Sequence, residues 1–143
     1  MIYADTSFLV SLMVSDANSA RARDAMSLIR QPLGVSALGR LEFRTAVLQR
    51  VALGKLDISF ASVIQRAFEK RFENGEFIDL IEGDRKVWEA AHGVAMRNTV
   101  ALKLRSLDVW HLGYALTAGA IKICTFDYRM GRAAEAEGII VIP

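Results

Sequence analysis

Five short apolar runs, each separated from the next by helical patterns, constrain the fold more than any other feature of this chain. They lie at residues 2–4, 33–35, 77–81, 121–125 and 139–142. Strands this short and this apolar are buried on both faces, which is the habit of parallel strands joined by crossover helices. Between them the sequence predicts helices over residues 7–14, 19–30, 37–53, 59–74, 85–98, 107–118 and 128–137. Pro32 stops the second of these, Gly54 and Gly138 sit at C-cap positions, and Ser59 is expected to cap the fourth. Apolar spacing assigns core stripes to Ala22, Ala25, Met26 and Ile29, to Leu38, Leu41, Thr45, Leu48 and Ala52, and to Val63 and Ala67. Gly83 and Asp84 are expected to turn the chain into the fifth helix. The expected architecture is a three-layer α/β/α domain over residues 1–143, with a central, mainly parallel sheet of four or five short strands.

Composition narrows the function classes. Of the 143 residues, 52% are hydrophobic and 24% charged, which describes a globular chain with a core rather than a disordered one. The single cysteine, Cys124, excludes an internal disulfide, fits a reducing compartment and stands among Ile121, Ile123 and Phe126 as a buried structural thiol. No segment approaches the ~20 apolar residues of a membrane span, and no basic segment precedes an apolar leader, so a cytoplasmic protein with no membrane partner is expected. A net charge of +2 permits an anionic partner without requiring one. There is no glycine-rich phosphate loop, no dinucleotide fingerprint and no nucleophile elbow. Two histidines, His92 and His111, are too few for a zinc site beside one cysteine.

Four acids stand apart from the other twelve because their neighbours are apolar: Asp5, Glu42, Asp108 and Asp127. Asp5 and Asp127 directly follow expected strands, at the sheet edge where α/β proteins bind ligands. The helices carrying Glu42 and Asp108 can reach the same edge. Each acid also has an ordinary explanation. Asp5 and Asp127 are good N-caps, Asp108 suits a first helical turn, and Glu42 could pair with Arg40 or Arg44. As a set, gathered carboxylates would repel and raise one another's pKa values unless a hard divalent cation joined them. Mg²⁺ or Mn²⁺ takes oxygen ligands, keeps several waters, and suits the hydrolysis of a phosphodiester. Ser7 and Thr125 could orient these acids, and Thr6 could do so or simply cap its helix. His111, three residues after Asp108, could approach the same edge or lie in the core. Asp79, also flanked by apolar residues, is expected to face solvent on an edge strand. Basic residues fall near the acids in sequence: Arg40, Arg44, Lys103, Arg105, Arg129 and Arg132. Arg129 and Arg132 are the candidates for contact with a phosphate backbone.

The ordered set Tyr3-Ala-Asp5-Thr-Ser7, Arg40-Leu-Glu42-Phe, Leu107-Asp108-Val-Trp and Thr125-Phe-Asp127-Tyr-Arg129 resembles the PIN-domain ribonucleases, and within them the VapC-type toxins of bacterial toxin–antitoxin pairs. The similarity spans essentially the whole chain. The resemblance implies a PIN fold and an endoribonuclease in which Asp5, Glu42, Asp108 and Asp127 bind Mg²⁺ or Mn²⁺, with Ser7 and Thr125 in support. It also implies a homodimer held inactive by a small antitoxin. Two rivals remain at this stage. A phosphoaspartyl phosphatase would use Asp5 as nucleophile, although Ser7 stands where its second aspartate belongs. A non-catalytic RNA- or protein-binding module would need no metal.

Overall fold

The computed structural model describes residues 1–81 and 84–142. Gly83, and the turn expected there, lies outside them. Five strands form one sheet: β1 (Ile2–Ala4), β2 (Leu33–Ser36), β3 (Phe77–Leu80), β4 (Lys122–Cys124) and β5 (Ile140–Ile142), in the order β3-β2-β1-β4-β5. All four pairings are parallel. The helices are α1 (Thr6–Met13), α2 (Ser19–Leu28), α3 (Ala37–Ala52), α4 (Ile58–Glu73), α5 (Asp84–Leu102), α6 (Ser106–Thr117) and α7 (Tyr128–Ala136).

Because strand side chains alternate between faces, each short strand feeds two cores. Ile2, Ala4, Leu33, Val35, Phe77 and Cys124 pack against α1–α4. Tyr3, Leu80 and Ile123 pack against α5–α7. The result is the expected α/β/α sandwich. Among the described residues no helix is long and apolar enough to cross a membrane.

Two helix faces differ from the periodicity reading. On α3 the buried residues are Gly39, Phe43 and Val47, while Leu41 and Leu48 are exposed. On α4 they are Ala61, Ile64 and Phe68, with Val63 turned to solvent. The cause is aromatic: Phe43 stacks on Phe68 with ring centroids 3.9 Å apart, and Phe68 continues onto Phe72 and Phe77. Large rings dominate the burial energy of such a contact, so they set the rotation of both helices. The cap of α4 also moves two residues upstream from Ser59, to Asp57, whose carboxylate accepts from the Ser59 backbone N–H.

The chain winds outward from β1 through β2 to β3, then crosses back to place β4 on the other side of β1. Adjacent strands therefore diverge in their connections at β1 and β4, and a crevice opens beyond their carboxyl ends. On the far face α5 and α6 pack tightly enough that a Cβ on Gly113 would lie 2.8 Å from the Val87 carbonyl oxygen. Glycine there lets α6 sit deep, which aims its first turn at the crevice.

Candidate active site

Asp5 begins where β1 ends. Its backbone N–H donates to the Cys124 carbonyl of β4, so the residue is fixed in the sheet before its side chain is placed. The carboxylate then caps α1 through Oδ1, accepting from the Phe8 N–H at 2.9 Å. The Ser7 hydroxyl donates to the same oxygen at 2.7 Å, and the Thr125 hydroxyl to Oδ2 at 2.7 Å. Ser7 Oγ in turn accepts from the Phe126 N–H, and Thr125 Oγ1 from the Asp127 N–H. Ser7 and Thr125 thus bind Asp5 to the 125–127 loop. Only 2% of Asp5 is exposed. Burial pushes its carboxyl above the usual aspartate range, against the opposing pull of the Phe8 N–H, His111 and the two hydroxyls.

Asp127 follows β4 and caps α7, accepting from the Arg129 and Met130 N–H groups through Oδ1. Asp108 lies in the first turn of α6, where its Oδ2 accepts from the Arg105 backbone N–H at 2.8 Å. The Arg105 guanidinium grips both acids: it donates to Asp108 at 3.0 and 3.2 Å and to Asp127 Oδ2 at 3.3 Å. The bond to Asp108 holds this guanidinium charged even more firmly than usual.

Glu42 does not pair with Arg40 or Arg44. Those arginines turn away to Glu69, and Arg40 also to the exposed Asp79 on the edge strand β3. Glu42 Oε2 instead receives the Thr6 hydroxyl at 2.6 Å and lies 2.5 Å from His111 Nε2. Burial alone would raise its carboxyl, but the bonds from His111 and Thr6 outweigh it and hold Glu42 below the usual glutamate range. His111 is buried, with Nδ1 2.6 Å from the Tyr3 hydroxyl, which itself lies 2.8 Å from Ser36 Oγ. Burial keeps the Tyr3 phenol protonated by raising its pKa far above 10. One donor sequence satisfies every group: Ser36 to Tyr3, Tyr3 to Nδ1, and Nε2–H to Glu42. Residue spacing alone leaves His111 between core and crevice; in the structure it is buried and reaches Glu42.

These elements enclose one cleft of about 380 Å³, lined by Asp5, Thr6, Ser7, Glu42, Asp108, His111 and Asp127, with Arg105 at its side. The structure brings all four singled-out acids to it. Thr125 lies just behind, on Asp5. Of the basic residues, Arg105 enters the cleft. Arg129 points its guanidinium to the Lys103 carbonyl, and Arg132 pairs with Glu135 in a neighbouring cleft. Four carboxylates against one arginine leave the site anionic and receptive to a cation. Among the described residues no three or more Asp, Glu, His or Cys side chains are grouped closely enough to hold a metal ion together. The donor set is carboxylate oxygen in an open cleft, which fits a hard ion such as Mg²⁺ that keeps most of its water and needs one or two carboxylates. It does not suit a thiolate- or imidazole-bound metal.

Comparison with known proteins finds matches in sequence and in fold. The PIN domain family matches residues 2–136. Ribonuclease VapC46 of Mycobacterium tuberculosis is 30% identical over 143 residues, covering 99% of this chain and 95% of that protein. Among solved structures, Mycobacterium tuberculosis VapC20, a sarcin–ricin loop cleaving toxin, superposes with a TM-score of 0.70 at 20% identity over the full length of both chains. FitAcB from Neisseria gonorrhoeae superposes with a TM-score of 0.65 at 18% identity, covering 100% of this chain and 97% of that one.

Proposed function

The chain belongs to the PIN-domain family, and on that premise we propose that Asp5, Glu42, Asp108 and Asp127 are the acids with which it cleaves RNA. The protein is a ribonuclease toxin of a toxin–antitoxin system, in keeping with its kinship to VapC46. The observation that carries the assignment of residues is their convergence: acids from four separate segments line one cleft at the switch point of the sheet.

Each residue has a role derivable from its contacts. Asp5 is locked by a helix N–H and two hydroxyls, so its carboxylate cannot swing away from the cleft. Asp127 is held by two backbone N–H groups and faces Asp108 across Arg105. Glu42, held by Thr6 and His111, closes the opposite wall. Arg105 offers a guanidinium to a phosphate entering the cleft, Arg129 adds charge at the start of α7, and Arg132, paired with Glu135, is the further RNA contact on that helix. Asp5, Asp108, Asp127 and Glu42 would hold Mg²⁺ or Mn²⁺, and the ion when bound supplies the positive charge that activates water and offsets charge on the scissile phosphate. Kinship also supports a cognate antitoxin as protein partner and a homodimer as the assembled form.

The test is cleavage of a pool of structured and single-stranded RNAs by purified protein with Mg²⁺, with Mn²⁺ and with chelator, beside Asp5→Asn. Metal-dependent cuts that disappear in the variant are expected. Cutting in chelator, or wild-type turnover by the variant, would overturn the assignment.

A further inference from the structure

Asp127 borders a second cleft as well as the first. This neighbour, about 350 Å³, is lined by Arg21 from α2, Phe126, and the α7 residues Tyr128, Gly131, Arg132 and Glu135. The last four fall at positions i, i+3, i+4 and i+7 of one helix, so they form a single stripe. Within that stripe Gly131 is buried and contributes no side chain, leaving a flat floor between an aromatic wall and a charged one.

Tyr128 is the unusual member. It is 78% exposed, next to an acid of the cleavage site, and packs into neither core. Exposed aromatics beside a nucleic-acid site are stacking platforms, because every base presents a π-face. The charges of this cleft select among parts of an RNA. Arg21 lies over the Phe126 ring, 5.2 Å from its centroid, and Arg132 pairs with Glu135 at 3.2 Å. Arg132 is thus balanced by Glu135, while Asp127, which Arg105 grips from the first cleft, brings a second carboxylate to the border of this one. A phosphate would meet two carboxylates here, whereas an uncharged base meets both donors and acceptors for its edge.

We infer that this cleft is a nucleobase subsite, in which Tyr128 stacks an unpaired base of the RNA adjoining the nucleotide whose phosphodiester enters the acidic cleft. The inference rests on the ribonuclease reading for its substrate class. It makes the enzyme selective for single-stranded or looped RNA at the flanking nucleotide, since a base held in a duplex cannot be splayed onto the ring.

The probe is a set of single-stranded RNA 12-mers carrying one 2-aminopurine at successive positions, titrated in chelator so that no cleavage intervenes. Wild type and Tyr128→Phe are expected to change the fluorescence and bind with equal affinity, because the phenyl ring keeps the stack. Tyr128→Ala should bind roughly 5- to 150-fold more weakly, the loss expected for one base–aromatic stack. An abasic residue at the responsive position should weaken wild type equally and leave Tyr128→Ala unaffected. No fluorescence change with wild type, or Tyr128→Ala binding within twofold of it, would overturn the subsite. Tyr128 is exposed, so loss of folding does not confuse the result. The metal-dependent cleavage assay with Asp5→Asn decides the ribonuclease reading separately.

Discussion

The line Ser36–Tyr3–His111–Glu42 can be tested by removing one oxygen. Tyr3→Phe keeps the ring in its fully buried place but deletes the hydroxyl that lies 2.6 Å from His111 Nδ1 and 2.8 Å from Ser36 Oγ. Ser36 Oγ still accepts from the Gly39 N–H, so its loss is partial. His111 Nδ1 loses its partner while 2% of the residue is exposed, and water cannot readily replace it. Leaving one buried polar atom unsatisfied costs about 1–3 kcal/mol, so a destabilisation near 2 kcal/mol is expected. Unfolding entropy of about 2.1 cal/mol/K per residue converts this to a melting temperature roughly 7 °C lower for a chain of this length. The assay is urea unfolding in metal-free buffer, with His111→Leu and the double variant completing a cycle. In the His111→Leu background the cost of Tyr3→Phe should fall by at least about 1 kcal/mol, because the orphaned nitrogen is gone. A single-variant cost below about 0.5 kcal/mol, or a cycle that closes additively, would refute the donor line.

Two further expectations concern the carboxylates themselves. Arg105→Ala removes the guanidinium that grips Asp108 and Asp127, so Mn²⁺ affinity by calorimetry should rise, by roughly three- to tenfold given a coupling of about 1 kcal/mol for a largely exposed cation; unchanged or weaker binding would show that the arginine and the ion do not share these acids. Asp5 and Glu42 carry opposite pH signs. With Asp5 raised, the stability it gives is full below its ordinary 3.8 and is lost as pH rises through its folded value. With Glu42 lowered, its contribution is present above its ordinary 4.5 and is lost as pH falls through its folded value. Asp5→Asn should therefore melt above wild type at neutral pH in chelator, and Mn²⁺ should then raise the wild-type midpoint and leave the variant's in place. A variant that melts lower in chelator would count against the burial argument for Asp5.

The strands and helices were legible because their signals are local: apolar runs of three to five residues, Pro32, and glycine at helix ends. Strand order was not, since nothing local says that β4 returns beside β1 rather than beyond β3. The buried faces of α3 and α4 depart from the apolar spacing for a related reason. Leu41, Leu48 and Val63 have helical spacing, yet Phe43 and Phe68 choose the buried face by stacking across 25 residues of sequence. In the site, Asp5 and Asp127 were visible from strand ends and Asp108 from its apolar neighbours. His111 had a weak signal, the i, i+3 spacing from Asp108 on one helix, but its partners Tyr3 and Glu42 lie 108 and 69 residues away. Arg105 stands three residues before Asp108, which hints at the first of its two contacts, but gripping Asp127 depends on where α7 begins.

The sequence leaves Asp5 and Asp127 open between cap and site residue, and in the structure both cap helices while lining the acidic cleft. Each carboxylate lends Oδ1 to the N–H groups opening its helix, α1 or α7. The helix dipole favours the charge, and the fixed N–H groups hold the carboxylate in one rotamer. Oδ2 then faces a different partner: a hydroxyl for Asp5 and a guanidinium for Asp127. Capping is therefore how the fold steadies an anion that is otherwise expensive to keep near the core. Glu42, in the middle of α3, has no helix end to lean on. It leans instead on the Thr6 hydroxyl and on His111 from the opposite layer of the sheet, which Tyr3 of β1 and, behind it, Ser36 of β2 back in series through the core.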